Sequence, residues 1–296
     1  MHVTQESTLQ LPAIAILGAG SMGRAILQGL LAPHVHVAAG IRITNRRPEA
    51  AADFDTEPRV SAWVTSTNVD ANREAVRGAS VVIVAVKPAD VEALLVEVSA
   101  DLDDDAVVVS VAAGKTLQQL QRAAGDARAV MRAMPNTPAQ IRRGVTGIAV
   151  GDHVSAAQRD LVESVFATVG SVVVVDEERL NALTSISGSG PAYVFYLIEQ
   201  WEQAARELGF SHAEAALLVR ETVRGAAELV LASGEEPEEL RRRVTSPKGT
   251  TERAIGVLQQ AHFAEILDEA MQAAMARARE IAAGDEPPPF GHALTL

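Results

Sequence analysis

Apolar and polar positions follow two different periods along this chain, and the change falls near Asp176. Ahead of it, short apolar runs recur at residues 13–17, 41–44, 81–86 and 107–111, with a weaker one at 127–132 and two more at 145–150 and 172–175. The run at 81–86 is apolar at every position, as expected for a parallel strand buried on both faces. Stretches with helical spacing lie between the runs, at about 21–32, 91–100, 117–124 and 156–169. This alternation predicts a doubly wound α/β sheet. After Asp176 nothing alternates with period two. Residues 191–208, 213–233 and 263–282 carry helical spacing, with Gly209 and Gly234 as stops. The predicted organisation is therefore a sheet domain over residues 1–176 and an all-helical domain over 177–296, with a Pro-rich tail from Gly284 expected to be disordered.

The first strand runs into Gly18-Ala19-Gly20-Ser21-Met22-Gly23, which carries glycines at the dinucleotide-binding spacing. Gly18 permits the tight turn, Gly20 lets the backbone approach a pyrophosphate, and Gly23 lets the next helix pack close to the strand. That helix would point its free N–H groups and positive dipole end at the phosphates. At the end of the second strand an NAD site usually has a carboxylate for the ribose hydroxyls. Here the chain reads Thr44-Asn45-Arg46-Arg47-Pro48. Guanidinium forks match a 2′-phosphate in geometry and charge, so NADPH is favoured, with NADH the alternative.

Composition narrows the partners. Of 296 residues 48% are apolar but only 3% aromatic, so a sizeable core must be aliphatic. A net charge of −12 argues against nucleic acid or an anionic membrane as partner. Cysteine is absent, which removes disulfides and thiolate chemistry, and no metal site is expected. The first residues lack the basic start and apolar stretch of a signal peptide, and no apolar run is long enough for a bilayer, so a cytoplasmic protein is expected. The apolar positions Leu217, Leu218, Val223, Leu229 and Val230 suit packing against a second chain as well as an ordinary core.

Four further segments carry candidate chemistry. Ala85-Val86-Lys87-Pro88 ends the buried strand at its carboxyl edge, where ligands sit in open α/β sheets. Arg132-Ala133-Met134-Pro135-Asn136-Thr137-Pro138 is a loop stiffened by two prolines. Ser187-Gly188-Ser189-Gly190-Pro191-Ala192-Tyr193 opens a helix, with Pro191 suited to its first turn. Val244-Thr245-Ser246-Pro247-Lys248-Gly249-Thr250-Thr251 precedes another, offering hydroxyls and free N–H groups. Each could be a plain cap or turn. Beside a nicotinamide site, two such helix starts make a cradle for a small anionic substrate.

These motifs, in this order over roughly residues 13–282, resemble those of pyrroline-5-carboxylate reductase. The resemblance implies a Rossmann domain, a helical dimerisation domain, and NAD(P)H-dependent reduction of 1-pyrroline-5-carboxylate to L-proline, the last step of proline biosynthesis. It also implies homodimers, often assembled into decamers. Carried over by position, Gly18, Ala19, Gly20, Ser21, Met22 and Gly23 lie by the pyrophosphate. Asn45, Arg46 and Arg47 lie by the 2′-phosphate, and Asn68 by the adenosine half. Ala85, Val86, Lys87, Pro88, Ala112, Ala113 and Asn136 fall along the cofactor, while Ser246, Gly249, Thr250 and Thr251 hold the substrate carboxylate and ring. Glu177 is placed near the ring nitrogen, and Thr251 is the candidate to donate to or orient that nitrogen. The chain departs from the family at Lys248, where relatives have glycine, and at Arg242 and Arg243, where many have Asp-Asn. Two other readings stay open: a related imine or β-hydroxy acid oxidoreductase, for which Lys248 is the only lysine of the helical half, and a non-catalytic NADPH-binding dimer.

Overall fold

The computed structural model describes residues 8–54 and 56–283. The predicted tail from Gly284 lies outside the described residues. Among the described residues ten strands form: β1 (Leu9–Leu11), β2 (Ile14–Leu17), β3 (Val35–Val37), β4 (Ile41–Asn45), β5 (Val60–Val64), β6 (Val81–Val84), β7 (Val107–Ser110), β8 (Ala129–Met134), β9 (Gly144–Val150) and β10 (Gly170–Val174). The helices are α1 (Ser21–Leu30), α2 (Pro48–Ala52), α3 (Ala71–Val76), α4 (Val91–Val98), α5 (Leu117–Ala124), α6 (Ala156–Ala167), α7 (Glu177–Leu183), α8 (Gly190–Glu207), α9 (His212–Ser233), α10 (Pro237–Arg243), α11 (Thr250–Gln260) and α12 (Phe263–Ala283). The described chain falls into two compact units, one holding residues up to Gly188 together with those from Met275 on, the other Ser189–Ala274. Among the described residues no helix is long and apolar enough to cross a membrane.

The first unit is built on an eight-stranded sheet of order β10-β9-β8-β7-β6-β2-β4-β5, parallel throughout except for β8 against β9. Alternate residues of β2 feed two cores. Ile14 and Ile16 join Ile26, Leu27, Ile43, Ile83 and Phe166 on one face. Ala15 and Leu17 join Val82, Val84, Leu95 and Leu120 on the other. Both faces are covered, which is why these strands read as unbroken apolar runs. From β2 the chain turns one way to β4 and β5 and later the other way to β6 and β7. The carboxyl ends of β2 and β6 therefore mark the switch point at which open α/β sheets bind ligands.

Where expectation and structure differ, the cause is local. The run at 81–86 leaves the ladder after Val84, and the strand expected at 127–132 starts only at Ala129. There Gly125, at φ +112°, makes a turn closed by Arg128 N–H to its carbonyl at 3.0 Å. A small β1–β3 pair, β5 and the short helices α2, α3, α7 and α10 carried no clear period. Helices of five to seven residues are too short to show an apolar stripe. Longer helices are marked by capping boxes, Thr116/Gln119 on α5, Ser155/Gln158 on α6 and Ser211/Glu214 on α9.

One central position of β9 is at odds with its surroundings. The Thr146 hydroxyl is buried and has no hydrogen-bond partner among the described residues. An unmade buried hydrogen bond costs about 1–3 kcal/mol, so Thr146→Val is expected to raise stability by about 1 kcal/mol, read as a higher urea midpoint at unchanged m. A lower midpoint would show that the hydroxyl is satisfied in solution.

In the second unit α8 and α9 meet over Ala205, Ala215 and Val219, which are buried. Glu202 on α8 pairs with Arg220 on α9 at 2.7 Å, and that hydrogen bond holds the Glu202 carboxyl below the usual range. Many large apolar side chains of this unit stay on the surface, among them Phe195, Tyr196, Leu217 and Leu231.

Candidate functional site

The 18–23 turn is held from below by β4. Gly18, at φ +87°, donates its N–H to the Thr44 carbonyl and hydroxyl at 3.2 and 3.1 Å, and Ala19 N–H reaches the same carbonyl at 2.9 Å. A Cβ at Gly18 would lie 2.6 Å from Val86 Cγ1, and one at Gly23 2.9 Å from the Gly18 carbonyl oxygen. Gly20 differs: a Cβ there would meet nothing within 4 Å. The turn is thus tight where it packs against protein and open at the head of α1, where free N–H groups begin. Ser21 is exposed, Met22 half-buried and Ala19 buried.

Beside the turn lies a cleft of about 330 Å³ lined by Gly18, Thr44, Asn45, Arg46 and Val86, among others. Asn45 is buried, its amide nitrogen 3.4 Å from the Ala50 carbonyl. Arg46 is exposed, 4.0 Å from Asp90 at its nearest. Arg47 is exposed and has no ion pair among the described residues. Ala85 and Val86 are half-buried past β6, and Lys87 and Pro88 are exposed on the turn that follows. Ala112 and Ala113 are half-buried just past β7. Asn68 is not among the residues lining this cleft. Its amide donates to Glu74 at 3.2 Å and accepts from Asp70 N–H at 2.9 Å, at the start of α3.

Two expected site residues have partners within the first unit. Asn136 is buried, donates to the Ser187 carbonyl and accepts from Val145 N–H, both at 2.8 Å. It thereby secures the π-helical turn at Thr184–Gly188, a rare backbone form that clusters at functional sites. Glu177 Oε1 accepts from Arg132 Nη1 and from Leu117 N–H, both at 2.7 Å.

In the second unit, Gly249 caps α11 and its N–H closes a turn onto the Ser246 carbonyl at 3.0 Å. A Cβ at Gly249 would lie 2.9 Å from the Ser246 carbonyl oxygen, so a larger residue there must shift the turn. Lys248 sits in the left-handed region at φ +62°, with its N–H on Glu252 Oε2 at 2.8 Å. Ser246 and Thr250 are exposed and Thr251 is half-buried. Pro191 falls in the first turn of α8, as its position suggested.

Sequence reasoning missed Thr44, whose carbonyl and hydroxyl seat the glycine turn. The available signal was a hydroxyl residue closing the second strand. It also missed Arg24, one turn into α1, whose guanidinium contacts Asp53 at 2.6 Å and the Ala50 carbonyl at 2.8 Å.

Comparison with known proteins identifies the family. Residues 177–281 match the family model described as pyrroline-5-carboxylate reductase dimerisation, and residues 13–114 match that described as NADP oxidoreductase coenzyme F420-dependent. The pyrroline-5-carboxylate reductase of Pseudomonas aeruginosa is 39% identical, over 92% of this chain and 97% of its own. That of Escherichia coli is 35% identical over 90% and 97%. The solved structure of a pyrroline-5-carboxylate reductase from Coxiella burnetii superposes with a TM-score of 0.83 at 36% identity, covering 93% of this chain and 98% of that one. By sequence and by fold, this chain belongs to the pyrroline-5-carboxylate reductase family.

Proposed function

We propose that this chain reduces 1-pyrroline-5-carboxylate to L-proline with NADPH, the last step of proline biosynthesis. The observation that carries the reading is the space left open at Gly20, at the head of α1, beside a strand that is followed by Arg46 and Arg47 instead of a carboxylate. Relatives named for this activity, 39% and 35% identical over at least 90% of the chain, support it. The residues present fit a phosphorylated dinucleotide. The N–H groups of the 18–23 turn and of α1 would hold the pyrophosphate, and Arg46 and Arg47 would hold the 2′-phosphate. Ala85, Val86, Lys87, Pro88, Ala112 and Ala113 flank the rest.

When bound, the nicotinamide supplies a hydride to the imine carbon. The chain's own contribution is binding and orientation, an effect able to supply about 7–11 kcal/mol of a barrier. Ser246, Gly249, Thr250 and the first N–H groups of α11 hold the substrate carboxylate. The Thr251 hydroxyl orients or donates to the imine nitrogen, whose protonation makes the carbon more electrophilic. The helical unit Ser189–Ala274 pairs with a second copy into a homodimer. The exposed Phe195, Tyr196, Leu217 and Leu231 support this, because apolar side chains in such number mark an interface. The enzyme is assigned to the cytoplasm, a reducing compartment suited to a chain built without disulfides.

The test is nicotinamide oxidation followed by absorbance with pyrroline-5-carboxylate, with NADPH and NADH at matched concentrations. Oxidation of neither cofactor would overturn the assignment. Thr251→Val is expected to lower kcat/KM about a hundredfold, with Thr251→Ser recovering most of it. Full turnover and affinity in both Thr251→Ala and Thr251→Val would remove the role given to that hydroxyl.

A further inference from the structure

Arg24 belongs to no glycine motif and lies outside the 45–47 loop, yet its side chain is held by three groups. Nη1 lies 2.6 Å from Asp53 Oδ2, Nη2 donates to the Ala50 carbonyl at 2.8 Å, and the guanidinium stands 5.2 Å over the Phe54 ring. Phe54 is itself buried in the sheet's core. Ala50 is the point where these contacts converge on the loop. Its carbonyl also accepts from Asn45 Nδ2 at 3.4 Å, and its N–H donates to the Arg47 carbonyl at 3.2 Å. Helix α2 starts at Pro48, directly after Arg47. So one side chain from α1 fastens α2, and α2 fastens both ends of the loop.

We propose that Arg24 is a positioning residue that sets the preference for a 2′-phosphorylated dinucleotide, by locking α2 and the 45–47 loop to the helix that follows the pyrophosphate turn. The inference rests on the reading that Arg46 and Arg47 take the 2′-phosphate. Its physical basis is preorganisation. A loop of two long cationic side chains binds a phosphate well only if its backbone is already placed, and ordering it on binding would subtract from affinity. An unphosphorylated ribose draws no such contact from the arginines, so it should feel the loosening far less. Arg24's own charge is already satisfied by Asp53, which argues for holding and against direct contact with the phosphate.

The experiment is titration of the full-length protein with NADPH and with NADH, together with steady-state KM and kcat for each. Arg24→Gln is expected to weaken NADPH binding about tenfold while NADH changes less than about twofold, so the preference collapses through KM and not kcat. Arg24→Lys keeps a charge for Asp53 but cannot also reach Ala50 with a fork, and should fall between. Asp53→Asn separates holding from direct contact. Freeing the guanidinium would tighten NADPH if Arg24 were a phosphate ligand, whereas a positioning role predicts weaker binding. Equal weakening of both cofactors, no change in either, or tighter NADPH in Asp53→Asn each overturns the proposal. The Arg46→Gln/Arg47→Gln double variant tells the two levels apart. If it abolishes the preference and Arg24→Gln does not, the positioning role alone falls. If it leaves the preference intact, the 2′-phosphate reading falls and takes this inference with it.

Discussion

Gly20→Ala is expected to weaken dinucleotide binding about a hundredfold, equivalent to about 3 kcal/mol, while the protein keeps its fold and melts no lower than before. The three glycines of the turn differ in what surrounds them. Gly18 has a positive φ, and a Cβ would lie 2.6 Å from Val86 Cγ1 and 3.1 Å from the Ala85 carbonyl oxygen. Gly23 would place a Cβ 2.9 Å from the Gly18 carbonyl oxygen. Alanine at either position must therefore displace neighbouring protein and lower stability. Gly20 has φ −75° and ψ −157°, a backbone any residue adopts, and no protein atom within 4 Å of the added methyl. Losing a glycine there even restricts the unfolded chain, worth about 0.4–1 kcal/mol in favour of folding. Nothing in the folded protein requires glycine at residue 20, so a cost of alanine there is expected only where a bound group approaches the backbone. Calorimetric melting beside NADPH titration checks this. Unchanged affinity in Gly20→Ala would mean that the turn does not carry the pyrophosphate.

That contrast also shows what was legible in the chain. The parallel strands announced themselves because burial on both faces forces continuous aliphatic runs, and the β2 and β6 positions were readable nearly to the residue. The glycine turn was readable because its spacing matches the dinucleotide-binding pattern, and the structure constrains two of its positions, Gly18 by its positive φ and Gly23 by helix packing. The long helices of the second half were legible through their spacing, and Gly234 does cap α9 at φ +64°. Thr44, Arg24 and the internal partners of Asn136 and Glu177 were not. Their roles depend on which residues meet across 26, 29, 51 and 45 positions of sequence. Spacing along a helix or strand carries no information about such meetings. A polar side chain in a loop motif looks the same whether it faces a ligand or ties two segments together.

Asn136 makes the second kind of role measurable. Its amide joins three segments: its own loop after β8, the start of β9 through Val145, and the π-turn through Ser187. Asn136→Leu removes both bonds at a buried position and leaves an N–H and a carbonyl without partners. At roughly 1–3 kcal/mol for each group, and with Val145 and Ser187 only half-buried, the expected loss is about 3 kcal/mol, or about 6–12 °C in Tm. Asn136→Asp sharpens the reading, because an ionised carboxylate can still accept from Val145 N–H but must repel the Ser187 carbonyl. Only the protonated acid restores the donor. The folded state therefore favours the protonated form and raises the pKa of the introduced carboxyl. A raised pKa gives stability that is present below the unfolded value and lost as pH rises through the folded one. The Asn136→Asp protein should accordingly approach wild-type stability in acid and fall away from it as pH climbs past the ordinary carboxylate range. Asn136→Leu, with nothing to titrate, should show a deficit that does not change with pH. Equal deficits in the two variants at every pH would mean that the amide's donor is not what holds the π-turn, and that its shape comes instead from the helix around Ser185.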